Sequence, residues 1–379
     1  MEVNLKKIGY VLISIPFFLP AYFYLNQGFA SAIKIYKYAM FIVLVILYLK
    51  KRIIISKPGK IILLYLFFIL ILGIFNKYFS LDILLSIFIC LLFEYGLKEK
   101  KNYFLEGLYK ILEILIYVNL LSVIIFPNGM YEYAGYSANW LLGYKNPMIR
   151  IFLPACAIGL LISYKKYGKF NMRSLSLVVA SIITVILVDS STGIMGLVIF
   201  IGILLVTKMK FFSKYITLFR AFVTYIIVNF FVITGLAERY IGFLIEGILH
   251  RSMTFTGRTT TWQNALEIIN KNIWSGIGDY SPEMMLTAIG GTHPHNYFLY
   301  ILLQSGIIGV LILLFITKVT DKAIKKIEDK RASNIIVATI ISFYVMGITE
   351  SLTGATLMYP MYIILGNMNR IKYNKKNTS

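Results

Sequence analysis

Apolar stretches of about 16–22 residues recur along most of this chain, separated by short lysine-rich patches. Each stretch is about as long as a helix must be to cross the hydrocarbon core of a bilayer. With 58% hydrophobic and 15% charged residues, the 379-residue chain carries too little charge for the surface of a soluble domain of that length. The reading is an all-α integral membrane protein of about twelve transmembrane helices, one polytopic domain over residues 1–379. The expected spans are 8–25, 36–49, 60–76, 79–97, 105–127, 149–164, 175–189, 193–207, 215–235, 296–316, 333–349 and 352–369. The two spans around "DSSTG" (189–193) also read as one interrupted helix.

The basic residues orient this arrangement. Seven patches, at 5–7, 50–60, 98–101, 164–173, 208–214, 318–331 and 370–376, are each separated from the next by two spans and hold 27 Lys and Arg. The loops on the other side, with the span ends that border them (Lys37 and Arg150), hold nine, while Lys110 and Arg220 fall deeper within spans. By the positive-inside rule, both termini and all seven patches are cytoplasmic. The net charge of +21 is thus placed as cytoplasmic loops place it, and nucleic acid is not an expected partner. Cys90 and Cys156 fall inside apolar runs, with neither a disulfide nor a metal-ligand spacing. The first run lacks a small-residue cleavage site and reads as a retained span.

Two outer loops are long: 128–148, and 236–295 with short amphipathic helices. They contain all three tryptophans, Trp140, Trp262 and Trp274, and the larger contains all three histidines, His250, His293 and His295. Two readings of the tryptophans stand, an interfacial belt or a stacking platform for a ligand ring.

In the larger loop, Trp262, Leu266, Ile269 and Ile273 fall at helical spacing. Thr259 or Thr260 can cap that helix, and the glycines of "SGIGD" end it. The helix is expected on the membrane surface or against the bundle. Arg258 then stands just before its first turn, where free N–H groups and a guanidinium fork together suit a diphosphate. Binding lipid headgroups is the plainer role for Arg258, Arg251 and Arg239. In "THPHN" (292–296), Pro294 bars a helix through His293, and Asn296 is an N-cap for the span at 296–316. His295 is therefore held at the mouth of that helix, whose dipole favours the neutral imidazole that a general base needs. "GYKNP" (143–147) places Lys145 and Asn146 just outside another span, and Asp189 and Glu350 are further polar residues near the membrane.

Taken together, "TGRTTTWQNALEII" (256–269), "WSGIG" (274–278) and "HNYFLYILLQSGIIGVL" (295–311) resemble the shared core of bacterial O-antigen ligases and Wzy-type polysaccharide polymerases. "GYKNP" and "SSTG" fall in the expected order upstream, so the resemblance covers about 140–316. It implies metal-independent glycosyl transfer at the outer face of the cytoplasmic membrane, without a cofactor, from a glycan on undecaprenyl diphosphate. Arg258 and His295 inherit the roles of diphosphate-holding arginine and acceptor-side histidine. Substrate contacts are expected from Arg251, Arg150, Lys145, Asn146, Trp262, His293 and Asn296. Where many ligases have an arginine in the segment matching "SSTG", this chain has Thr192, and Arg150, Arg251 or Lys145 is left to supply the second cation.

The first reading is a polymerase acting on lipid-linked repeat units, towards which Thr192 tilts the choice, with a flippase and a chain-length regulator as candidate partners. A ligase moving the finished glycan to another acceptor is the nearest alternative. A flippase for lipid-linked oligosaccharides would carry its polar residues inside the bundle rather than gathered in an outer loop.

Overall fold

The computed structural model describes residues 5–77, 82–98, 102–133, 135–236, 258–352 and 357–373. These are mostly helical: α1 (Leu5–Ser14), α2 (Gln27–Lys51), α3 (Lys57–Phe75), α4 (Asp82–Gly96), α5 (Tyr103–Ile125), α6 (Ile149–Tyr167), α7 (Met172–Leu187), α8 (Ser191–Val206), α9 (Lys210–Ser213) and α10 (Leu218–Ile233), followed by α11 (Arg258–Lys271), α12 (Pro282–Ile289), α13 (Tyr297–Lys325), α14 (Lys330–Met346) and α15 (Met358–Asn367).

Eleven of the twelve expected apolar segments each overlap one of these helices among the described residues; the first does so only over its opening part. Four of them, α2, α3, α5 and α13, are long and apolar enough to cross a membrane by themselves. Shorter apolar helices include Lys7–Phe17, α4, α7, α8 and α10. The first expected span, 8–25, is not one helix: α1 ends at Ser14 and two 3₁₀ turns follow, at Ile15–Phe17 and Ala21–Leu25. Pro16 and Pro20 explain the break, since neither can donate the backbone bond that a continuing helix needs. Around "DSSTG" the chain forms two helices, with Ser190 capping α8 through its side chain.

The outward surface is that of a protein in lipid. Only Leu44 of the 25-residue α2 is buried, and Ile35, Ile46 and Leu49 stand open. Apolar area on this scale does not face water in a stable monomer. At the centre, α14 is packed by α6, α8, α10 and α15.

Two features were not anticipated. Tyr131–Tyr133 and Tyr136–Asn139 pair as the antiparallel strands of a hairpin. It leads into Trp140, which is buried and donates its Nε1–H to the Phe126 carbonyl at 2.7 Å, so this tryptophan is neither a belt residue nor a platform. The second is a break in α13 at Gly306, with φ 55° and ψ −158°. The loop 273–278 fills the gap with main-chain hydrogen bonds. Ile277 and Gly278 donate to the carbonyls of Leu303 and Gln304 at 2.8 and 3.0 Å, and the Ile307 and Ile308 amides reach the carbonyls of Ile273 and Trp274 at 2.9 and 3.0 Å. The groups freed by the break are thus satisfied inside the protein, as irregular backbone at membrane depth requires. The helix expected to run through Ile273 and end at "SGIGD" stops earlier, at Lys271, so these glycines serve the crossing of α3 rather than the helix end. Gly278 crosses α3 at Gly73 so closely that a Cβ would lie 2.1 Å from the Gly73 nitrogen.

Candidate active site

Five segments meet at one end of the bundle: 143–147 ahead of α6, 188–192 at the start of α8, the first turn of α11, 292–296 ahead of α13, and 347–352 after α14. Asn146 donates to Glu350 Oε1 at 2.9 Å and accepts from Ser190 Oγ at 3.1 Å. Arg258 Nη1 donates to the Thr349 carbonyl at 2.9 Å, and the Tyr297 amide to the Gly347 carbonyl at 2.7 Å. Lys145 Nζ donates to the Asp189 carbonyl at 2.9 Å and lies 4.0 Å from its carboxylate.

Glu350 is the residue that sequence reasoning undervalued. It is only 7% exposed. It accepts from Asn146 and from the Thr192 hydroxyl, and the charges of Arg150 and Arg258 act on it. Burial nonetheless pushes its carboxyl above the ordinary value. A lone glutamate near a span end carries no spacing signal; the partners that give it meaning lie far off in the chain. Thr192, where the family resemblance suggests an arginine, thus touches the same carboxylate that Arg150 serves from α6.

The histidine loop is built from several sides. Asn296 is fully buried: its Oδ1 caps α13 by accepting from the Leu299 amide at 3.0 Å, and its Nδ2 donates to Asn229 Oδ1 at 2.7 Å and the Ile348 carbonyl at 2.9 Å. Trp262, also buried, donates Nε1–H to the Pro294 carbonyl at 2.7 Å. Its indole therefore braces this loop rather than offering an open face. Between these anchors His295 adopts φ 50°, a left-handed conformation that costs a non-glycine residue roughly 1–2 kcal/mol. The rings of His293 and His295 meet edge to face, 4.2 Å between centroids. The Nδ1 of each is buried with no hydrogen-bond partner among the described residues.

Both imidazoles are held neutral. Burial, then Arg258 and Arg150, lower His295 to about 4. Burial, then His295, Arg150 and Arg258, lower His293 to about 3. The sequence argument reached the same protonation state by a different route; desolvation and two guanidinium groups act here in place of the helix dipole.

Arg258, Thr259 and Thr260 are all helical in α11, so neither threonine caps it and Arg258 does not precede it. Helix ends shift by a residue or two in this way because several start positions are nearly equivalent. α11 packs against the bundle, with Trp262, Ala265 and Ile269 buried against Leu299 and Leu303 of α13. Arg251, Arg239 and His250 lie outside the described residues. Nearby, Tyr136 of the hairpin stacks on Tyr144 at 3.9 Å, and Tyr133 is exposed. Among the described residues no three His, Cys, Asp or Glu side chains gather as a metal site, and the cysteines are free and buried.

The family model for the O-antigen ligase domain, Wzy_C, matches residues 176–314. Over this stretch the chain is similar to the O-antigen ligase family, which supports glycan transfer or polymerisation in a membrane at the level of the family. It contains Thr192, Arg258, the histidine loop and the break at Gly306, whereas Asn146, Arg150 and Glu350 come from outside it. No curated protein and no solved structure matches the chain.

Proposed function

We propose that this protein is a polysaccharide polymerase of the cytoplasmic membrane, with its site on the outer face. It transfers a growing glycan from undecaprenyl diphosphate to a lipid-linked repeat unit. The observation that carries this reading is the meeting of a neutral His295 with Arg258 and Arg150 at one end of the bundle. The bias of 27 Lys and Arg against nine supports cytoplasmic termini and an outward-facing site.

In this mechanism the acceptor hydroxyl oxygen attacks the anomeric carbon of the donor glycan, and the bond from that carbon to the diphosphate oxygen breaks. The electron pair leaves with the diphosphate, whose charge Arg258 and Arg150 hold. His295 accepts the hydroxyl proton. Diphosphate is already a good leaving group, so no ATP is consumed. Arg150 is the best of the three candidates for the second cation, because Lys145 is engaged with Asp189 and Arg150 acts on both histidines and Glu350. Donor binding offsets the two guanidinium charges, so His295 becomes more basic once the donor is seated.

The test is a chain-length profile. Purified full-length protein receives defined undecaprenyl-diphosphate repeat units, with EDTA and without ATP. A ladder of products supports the polymerase. A single transfer to an added second acceptor, with no ladder, overturns it in favour of the ligase that the matched domain's description names. Transbilayer movement without any new glycosidic bond overturns both in favour of a flippase.

The pH dependence follows from the lowered histidines. Their unfolded value is near 6.5, so the stability they contribute is present above that pH and is lost as pH falls towards about 4 and 3. For activity, the acid limb of kcat/KM, which reports the free enzyme, is expected near 4 rather than 6.5. Arg258→Gln removes one lowering charge and moves that limb upward. An acid limb at 6.5 in the wild type, unmoved in the variant, would remove His295 from the role of base.

A further inference from the structure

Lys110 is a charged residue within an apolar span, about ten ångströms into α5 from Tyr103 at 1.5 Å per residue. The function above does not use it. It lies towards the end of the bundle opposite the candidate site, since α6 carries Arg150 at its start and Lys166 at its far end. Lys110 lines two adjoining cavities. One, of about 300 Å³, is polar and is also bordered by Lys7, Lys166, Arg173 and Glu106. The other, of about 690 Å³, runs along α1 and α5 between Ile8, Val11, Ile15, Ile111 and Ile114. Lys7, Glu106 and Lys110 border both.

The charges do not balance. Lys7 and Lys166 share one carboxylate, Glu106, at 3.0 and 2.6 Å, and Arg173 pairs with Glu113. Lys110 is exposed and makes no hydrogen bond or ion pair among the described residues. Among the described residues, two acids thus face these four cations. The apolar groove beside them is lined from Lys7 to Pro20.

We infer that this groove binds an anionic glycerophospholipid of the leaflet opposite the candidate site. Its acyl chains lie along α1 and α5, and its phosphate is held by Lys110 and Lys7. A basic pocket between helices next to an apolar channel has the chemistry for this ligand. The inference does not rest on the glycan-transfer reading.

The test reconstitutes full-length protein in phosphatidylcholine vesicles and titrates in brominated phosphatidylglycerol or brominated phosphatidylcholine. Quenching is read from a tryptophan placed in the groove by Ile114→Trp; Ile114 is exposed, so the substitution is tolerated. Wild-type charge should favour the anionic lipid by roughly fivefold, one basic residue's share of the attraction. Lys110→Gln in the same background should abolish most of that preference, and Lys110→Arg should retain it. Equal quenching by the two lipids, or a preference that survives Lys110→Gln, overturns the proposal. So does displacement of phosphatidylglycerol by undecaprenyl phosphate at equal concentration, which would make the groove a carrier-lipid site.

Discussion

His295→Ala is expected to slow glycan transfer by roughly 10²–10⁴-fold, the usual contribution of a positioned general base, with little change in folding. Alanine also removes a side chain from a residue at φ 50°, where strain alone can disturb the loop. His295→Asn separates the two effects, because asparagine tolerates the left-handed region better than most residues yet cannot accept the hydroxyl proton. Both variants should lose activity equally while the protein remains monodisperse. An asparagine variant within tenfold of wild type would mean that the residue shapes the loop and does not transfer the proton. The measurement is the initial rate of glycosidic bond formation on defined lipid-linked repeats.

The second large effect concerns the frame. Gly278→Ala should destabilise the fold by roughly 3 kcal/mol or more, at the severe end for a single substitution. Gly278 has φ 86°, and a Cβ there would lie 2.1 Å from the backbone of Gly73, which has no side chain to move aside. Gly168→Ala is the control: φ is 69° but nothing lies within 4 Å, so only the conformational cost of about 1 kcal/mol remains. Heating in detergent and following the monodisperse fraction should show early loss for Gly278→Ala and near-normal behaviour for Gly168→Ala. Similar curves for the two would mean that the crossing of loop and α3 is not close.

Much of the helical pattern could be read from apolar run length, because burial in lipid acts on each segment separately. The break at Gly306 could not. "FLYILLQSGIIGVLILLFI" reads as one uninterrupted run, and the carbonyls and amides that compensate for the interruption belong to residues 273–278. The same reasoning applies at the site. Arg258 and the "THPHN" loop were legible because local chemistry marks them: a cation at a helix start, and histidines held by a proline and a cap. Glu350 was not, since Asn146, Thr192 and the two arginines that give it meaning are brought to it only by folding. Trp140 and Trp262 looked like surface aromatics in a loop; each instead hands its indole N–H to a backbone carbonyl and is buried.

The four hydrogen bonds that close the break in α13 tie the loop that follows α11 to both halves of α13. Arg258, at the start of α11, and His295, at the head of α13, therefore keep a fixed separation while α3 holds the loop between them from behind. If the proposed polymerase reading holds, the lengthening polymer is drawn past a stationary anvil, and each addition meets the same geometry as the last, whatever the length already made.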